Sequence, residues 1–464
     1  MSDYQVIVIG AGPAGYVAAI RAAQLGARAA VIEAAEPGGV CLNWGCIPTK
    51  TLLHSADVFR AARAGDALGV VVDGTLRFDL AAAVRRSRAV AQQLNRGVRG
   101  LLRRNGVELI HGHARLAGEG RVHITDGDDA RTLSADGIVI ATGARPRVLP
   151  GLEPDGERIW TAREAMTPEA LPARLAVIGA GAIGVEFASF YAAIGSEVTL
   201  VEQAERILPA EDAELSEHLA AALGEQGIRV LTGHQVNRCE TRGDGVALTL
   251  AGPSGETRAP VDRVIVAAGI TGNVEALGLE GTGVAVDRGH IVTDAWGATG
   301  EPGVYAIGDV AGAPWLAHKA SHEGIACVER LLGAPGAAPV DPGSVPGCTY
   351  SHPQVASVGL TEAQARAQGH AVRVGRFPLA ANGKALARGE SDGLVKTVFD
   401  GDTGALLGAH LIGPEVTELI STFVVGRQLE TTEAELMHSV FPHPTLSESL
   451  HESVLNAWDR GLHA

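Results

Sequence analysis

The chain opens almost at once on an apolar run, "YQVIVIG" (4–10). A helical pattern follows, and then a second apolar run that ends in Glu33. The same order returns in "RLAVIGAGAIGVEFASFYAAIGSEVTLVE" (174–202). Each stretch reads as strand, helix, strand. Between the copies lie a helical stretch to about residue 104 and strand-like runs to about 145. The second copy extends to about 270, and a return to the first domain runs to near 340. "LLGAPGAAPVDPGSVPG" (331–347), rich in Pro and Gly, reads as a linker. Beyond it, "LVKTVFD", "ALLGAHLIG" and two helical patterns predict a smaller α+β domain. The expected fold is α/β, with two Rossmann-like units and this C-terminal domain.

Gly10, Gly12, Gly15 and Glu33 of the first copy map onto Gly179, Gly181, Gly184 and Glu202 of the second, every offset being 169 residues. One G-x-G-x-x-G is weak evidence. Two copies, each after a strand and each with Glu at the same distance, predict two dinucleotide sites. The first Gly makes the tight turn, the second lets backbone N–H groups approach a pyrophosphate, and the third allows close helix–strand packing. Glu33 and Glu202 are placed to accept a ribose 2′-hydroxyl. Glu202 would repel a 2′-phosphate, so the second site is expected to take NAD, and Arg206 reads as a surface residue. A hydride leaving a nicotinamide needs an acceptor, so the pair is expected to be NAD and a flavin. "GIVIATGARP" (137–146) and "GVYAIGDVAG" (303–312), whose strand end presents Asp309, fit the flavin side.

Composition sharpens the chemistry. The 464 residues carry a net charge of −15 spread along the chain, which offers no basic footprint for nucleic acid. No uncharged apolar run reaches the roughly 18 residues of a membrane span, and the start resembles no signal peptide. A cytoplasmic protein is expected. Of five cysteines, Cys239, Cys327 and Cys348 are isolated and read as small buried hydrophobes. Cys41 and Cys46 stand close together in "GGVCLNWGCIPTK" (38–50), read as a Gly-bounded loop running into a helix. Zinc needs about four ligands, and His54 is the only histidine nearby, which leaves redox chemistry. A thiol at the start of the helix "TKTLLHSADVFRAAR" has its thiolate favoured by the dipole and by Lys50. No metal site is expected.

These residues resemble the flavoprotein pyridine nucleotide–disulfide oxidoreductases along essentially the whole chain. The thiol stretch, the two Gly-rich turns, "ATG" (141–143) and "AIGDV" (306–310) stand in that family's order. Three further stretches point to the members that oxidise protein-bound dihydrolipoyl groups of 2-oxo acid dehydrogenase or glycine-cleavage complexes. They are "LAHKA" (316–320), "SHPQVASVGLTEAQA" (351–365) and "FPHPTLSES" (441–449). The resemblance implies that Cys41 exchanges with substrate and that Cys46 lies against the FAD ring. Lys50 is implied near the flavin, paired with Glu186. His443, oriented by Glu448, would take a thiol proton, and both would come from the partner subunit of a homodimer. Further implied FAD contacts are Ala114, Thr142, Gly143, Asp309, Trp315, Leu316, Ala317 and His318. Val236 and Gly269 are implied at NAD. The implied division is 1–146 and 271–340 for FAD, 147–270 for NAD and 341–464 for the dimer interface.

Read locally, "HPTLSE" is a loop entering a helix, with Thr445 as N-cap and Glu448 completing a capping box; His451, one turn on, reads as a surface residue. "VAAGITGN" (266–273) departs from the Arg-Arg-Pro run of many relatives, which weakens the nicotinamide contacts implied there. Reduction of glutathione-type substrates would call for arginines at the mouth of the site. Mercuric or large thioredoxin reductases would need a C-terminal cysteine pair, which "NAWDRGLHA" lacks. A silent assembly subunit would lack at least one of Cys41, Cys46, His443 and Glu448.

Overall fold

The computed structural model describes residues 2–463. Its contacts divide the chain into two compact units. One comprises the residues up to 52 with 81–147 and 269–341; the other comprises 53–80, 148–268 and the residues from 342 onward.

The first unit is built on a parallel sheet in the order Glu108–His111, Ala29–Glu33, Tyr4–Ile9, Asp129–Ile140, Val304–Ala306. The long strand Asp129–Ile140 also starts an antiparallel branch with Arg121–Asp126 and His113–Leu116. Strand Tyr4–Ile9 is buried on both sides, which explains its unbroken apolar run. Val6 and Val8 pack toward helix α1 (Pro13–Gln24), while Ile7 and Ile9 pack toward Ile110, Ile138 and Ile140. Helix Ala317–Leu331 lies so close on α1 that a Cβ at Gly324 would sit 2.7 Å from Ala14 O.

Three further helices frame the thiols: α2 (Gly39–Trp44), α3 (Cys46–Arg63) and α4 (Leu80–Arg104). Ala83, Ser87, Ala91, Asn95, Val98 and Leu102 form one buried stripe along α4, so this Arg-rich helix is fixed by a narrow face.

The second unit repeats the parallel core in the order Arg229–Leu231, Glu197–Val201, Arg174–Ile178, Arg263–Val266, Ile159–Trp160. A three-stranded meander (Gln235–Arg242, Gly245–Gly252, Gly255–Val261) follows. The C-terminal part is a five-stranded antiparallel sheet ordered Gly347–Thr349, Gln354–Gly359, Leu406–Gly413, Leu394–Asp400, Val372–Pro378. Among the described residues six short helices accompany it, where the pattern suggested two. Segments of four to nine residues are too short to develop a period and are set by local caps instead, such as Thr361 with Gln364 and Thr432 with Glu435.

One row of that sheet is polar: Ser357, His410, Lys396 and Arg376 lie directly across neighbouring strands. Lys396, buried, meets Asp212 at 2.8 Å, Glu362 at 2.9 Å and Glu214 at 3.0 Å. Burial alone would raise the Glu362 carboxyl, but Arg366 and Lys396 bring it down to about 2. Its contribution to stability is therefore complete above pH 4.5 and is lost as pH falls toward about 2. Lys396→Met leaves the buried Asp212 uncompensated and is expected to cost about 3–5 kcal/mol in chemical unfolding. A loss below about 1 kcal/mol would show that the carboxylates find other partners.

Candidate active site

Both dinucleotide turns have the same backbone. Gly10 and Gly179 stand at φ 101° and 100°, the left-handed region that favours glycine. A Cβ at Gly15 would lie 1.9 Å from Gly10 O, and one at Gly184 would lie 1.8 Å from Gly179 O. The middle glycines differ in the way a ligand requires. Around Gly12 only Gly39 comes within 4 Å of a built Cβ, and around Gly181 nothing does. Each cradle is thus closed by its own chain below and open above, which fits a pyrophosphate.

The acidic residues expected at the riboses have backbone partners of their own. Glu33 accepts the Ala11 N–H at 2.7 Å and the Ala35 N–H at 2.9 Å. Glu202 accepts those of Ala180 at 2.7 Å and Ala204 at 2.8 Å. Each carboxylate braces the Gly-rich turn to the chain beyond its strand. Next to Glu202 opens a cavity of about 320 Å³ lined by Gln203, Gly233, His234, Gln235, Ala251 and Gly252. His234, held at Thr232 O by Nδ1 (2.6 Å), escaped the sequence reading because no spacing rule marks it. Val236 packs nearby against the meander core. Arg206 is exposed, as expected.

The residues expected on the flavin side fall around the first unit's sheet. Thr142 Oγ1 donates to Asn273 O at 2.8 Å, and Asn273 Nδ2 returns a bond to Thr142 O at 2.9 Å. Ile270–Gly272, inside the departing "VAAGITGN" stretch, pairs antiparallel with Ala144–Pro146, and the Arg147 N–H donates to Gly269 O. That stretch therefore secures the turn at Gly143. Asp309 sits in a 3₁₀ turn, Gly308–Ala311, where burial pushes its carboxyl up against the opposing pull of Lys319. Leu316 is the N-cap of helix Ala317–Leu331, which puts Ala317 and His318 in the first turn. Trp315 Nε1 donates to His290 Nε2 at 3.2 Å. Ala114 lies half-buried on strand His113–Leu116.

Cys41 and Cys46 are joined as a disulfide with Cα atoms 4.6 Å apart. The sequence placed Cys41 in a loop; it lies on α2 instead. Asn43 makes this short helix possible by donating to Pro37 O (3.1 Å) and Gly39 O (3.0 Å), inside its own first turn and the chain before it. Cys46 is the first residue of α3, with Pro48 in the first turn and Lys50 half-buried one turn in. Glu186, almost fully buried in helix Ala182–Ala193, accepts the Tyr350 N–H at 3.0 Å.

In the second unit, His443 Nδ1 meets Glu448 Oε1 at 2.9 Å, and Glu448 Oε2 accepts the Thr445 N–H at 2.8 Å. Burial would raise the Glu448 carboxyl, yet the Thr445 N–H and the His443 ring hold it below its ordinary range. The carboxylate thus serves the turn and the imidazole together. Thr445 is not the N-cap: its hydroxyl donates to Pro442 O at 2.7 Å, and the helix begins at Glu448. His451 is not a free surface residue either. Its Nε2 bonds Met437 O at 3.0 Å and its ring lies on Phe441. Of the isolated cysteines only Cys327 is fully buried, while Cys239 and Cys348 are half-buried at core edges.

Among the described residues, no helix is long and apolar enough to cross a membrane. Residues 4–324 match the pyridine nucleotide-disulphide oxidoreductase family, and residues 345–454 match the dimerisation domain of that family. Similar proteins include the dihydrolipoyl dehydrogenases of Rhizobium etli (51% identical, covering 100% of this chain and 99% of that protein) and Zymomonas mobilis (52%, covering 100% of each). Among solved structures, LpdA from Mycobacterium tuberculosis superposes with a TM-score of 0.91 at 30% identity, covering 97% of this chain and 99% of that one. The HOCl-induced flavoprotein disulfide reductase RclA from Escherichia coli gives 0.87 at 29%, covering 98% and 99%. Two dinucleotide cradles, a disulfide after the first of them and a matching dimerisation domain agree with these likenesses, and the chain belongs to the pyridine nucleotide-disulphide oxidoreductase family.

Proposed function

We propose that the chain is a dihydrolipoyl dehydrogenase. It oxidises a dihydrolipoyl group carried by another protein of a 2-oxo acid dehydrogenase or glycine-cleavage complex, with NAD+ as final acceptor. The observation that carries the reading is the Cys41–Cys46 disulfide, which follows the first strand-helix-strand module. Full-length likeness to proteins of that name, at 51% and 52% identity, supports it.

His443 takes the proton of a substrate thiol, with Glu448 fixing the ring through Nδ1. The substrate thiolate attacks Cys41 Sγ. The Cys41–Cys46 bond breaks, and Cys46 leaves as a thiolate favoured by the N-terminus of the 18-residue α3. The second substrate thiol then displaces Cys41, closing the substrate's own disulfide and leaving the protein as a dithiol. FAD, when bound at the first cradle, supplies the two-electron link between that dithiol and NAD+ at the second. We assign Lys50 to the flavin side with Glu186 as its partner. We assign the backbone about Thr142, Gly143, Asp309 and Leu316 to FAD, and Val236 and Gly269 to NAD. The working form we propose is a cytoplasmic homodimer in which each His443–Glu448 dyad serves the other subunit's cysteines. Its functional domains are 1–146 with 271–340, then 147–270 and 341–464.

Steady-state turnover of dihydrolipoamide with NAD+ or NADP+ tests this reading. A carboxylate at Glu202 against a 2′-phosphate costs several kcal/mol, so kcat/KM is expected to favour NAD+ by at least about 100-fold. Preference for NADP+ would contradict the role of Glu202, and absence of turnover with either would overturn the assignment.

A further inference from the structure

Helix α4 grips both halves of the redox pair. Arg88 Nη1 donates to Asn43 O at 2.6 Å, and its guanidinium lies 3.9 Å from the centre of the Trp44 ring. Asn43 and Trp44 are the last two residues of α2, the helix that carries Cys41. Asn43 O belongs to the final turn, whose carbonyls lack intrahelical partners, so a cation there completes the helix end. Two residues earlier on α4, Arg86 Nη1 donates to Thr51 O at 3.2 Å in α3, the helix that begins with Cys46. Further along, Asn95 Nδ2 donates to Pro37 O at 2.7 Å and Arg99 pairs with Glu36 at 2.8 Å, fixing the chain that leads into α2.

While the protein is oxidised, the S–S bond itself ties α2 to α3. Reduction removes that tie, and beyond the Gly45 link the two helices then keep their register through what each touches. We propose that Arg86 and Arg88 form a splint that keeps Cys41 and Cys46 within bonding reach in the dithiol state and thereby sets the redox poise of the pair. The inference rests on the redox role proposed above. Both arginines act through the helix they hold and are positioning residues. A splinted dithiol has already given up conformational freedom that a loose one retains, so the splint favours the disulfide. Removing it favours the dithiol.

The holoenzyme is equilibrated anaerobically with graded ratios of reduced to oxidised dithiothreitol. In that exchange the Cys41–Cys46 bond breaks and a disulfide forms in the cyclic product, while two electrons and two protons pass to the protein sulfurs. Acid quenching and alkylation then count the free thiols at Cys41 and Cys46 by mass. Arg88→Gln is expected to shift the dithiol-to-disulfide ratio about tenfold toward dithiol, which is about 30 mV less negative. Arg86→Gln is expected to move it the same way. Arg88→Lys, still a cation able to reach Asn43 O, is expected to restore most of the shift. A lowered unfolding midpoint with an unmoved ratio in both glutamine variants overturns the splint. If Arg88→Gln loses its flavin, Arg86→Gln decides the matter from the other helix. A wild-type pair that takes no label at any ratio refutes the dithiol reading itself, so the two failures are told apart.

Discussion

Replacing His443 with Gln is expected to cut dihydrolipoamide turnover by about 10²–10⁴-fold, the usual worth of a positioned general base. The visible spectrum of the bound flavin should stay unchanged. A glutamine amide can still donate to Glu448, so the turn at Pro442–Thr445 keeps its bonds, but it cannot take up a proton near neutral pH. Side-chain exposure of 79% at His443 against 32% at Glu448 means that the ring presents its outer edge while the carboxylate stays tucked behind it. Glu448→Gln should therefore cost less than His443→Gln, because it removes orientation and leaves the base. Near-normal rates in His443→Gln would require another proton acceptor.

The second large effect concerns the sulfurs, and the two positions should behave differently. Cys41→Ser is expected to abolish turnover to background, since no disulfide can form and no exchange can begin. Cys46 is then a free thiolate from the outset, and the unreduced protein should already show a long-wavelength charge-transfer band. Cys46→Ser should be equally inactive but lack that band, because Cys41 lies on α2 away from the α3 N-terminus that favours the thiolate. Absorbance spectra of the two variants check this. Identical spectra would remove the distinction between an exchanging and a flavin-facing sulfur.

What the sequence made legible is what depends on fixed spacing along one segment. The two Gly-rich turns with their glutamates share one offset and one backbone geometry, because a tight turn, a close helix approach and a brace are all local demands. "HPTLSE" was readable in part for the same reason: Glu448 gives one oxygen to the His443 ring and the other to the Thr445 N–H, while the N-cap expected at Thr445 is not formed. What stayed hidden depends on partners far apart in the chain. Lys396 is one polar position in a largely apolar strand until Asp212, from a segment more than 180 residues earlier, arrives beside it. Arg86 and Arg88 look like solvated charges on a polar helix until α4 is laid across α2 and α3. The short α2 was missed because its stability comes from Asn43 and its neighbours and not from any helical period.

The most direct trial is an anaerobic titration of the holoenzyme with dihydrolipoamide, following absorbance and alkylating Cys41 and Cys46 at each step. The first two reducing equivalents should produce a red-shifted charge-transfer band together with free thiols at both positions, and added NAD+ should reverse both changes. Flavin bleaching with the 41–46 disulfide still intact would contradict the account.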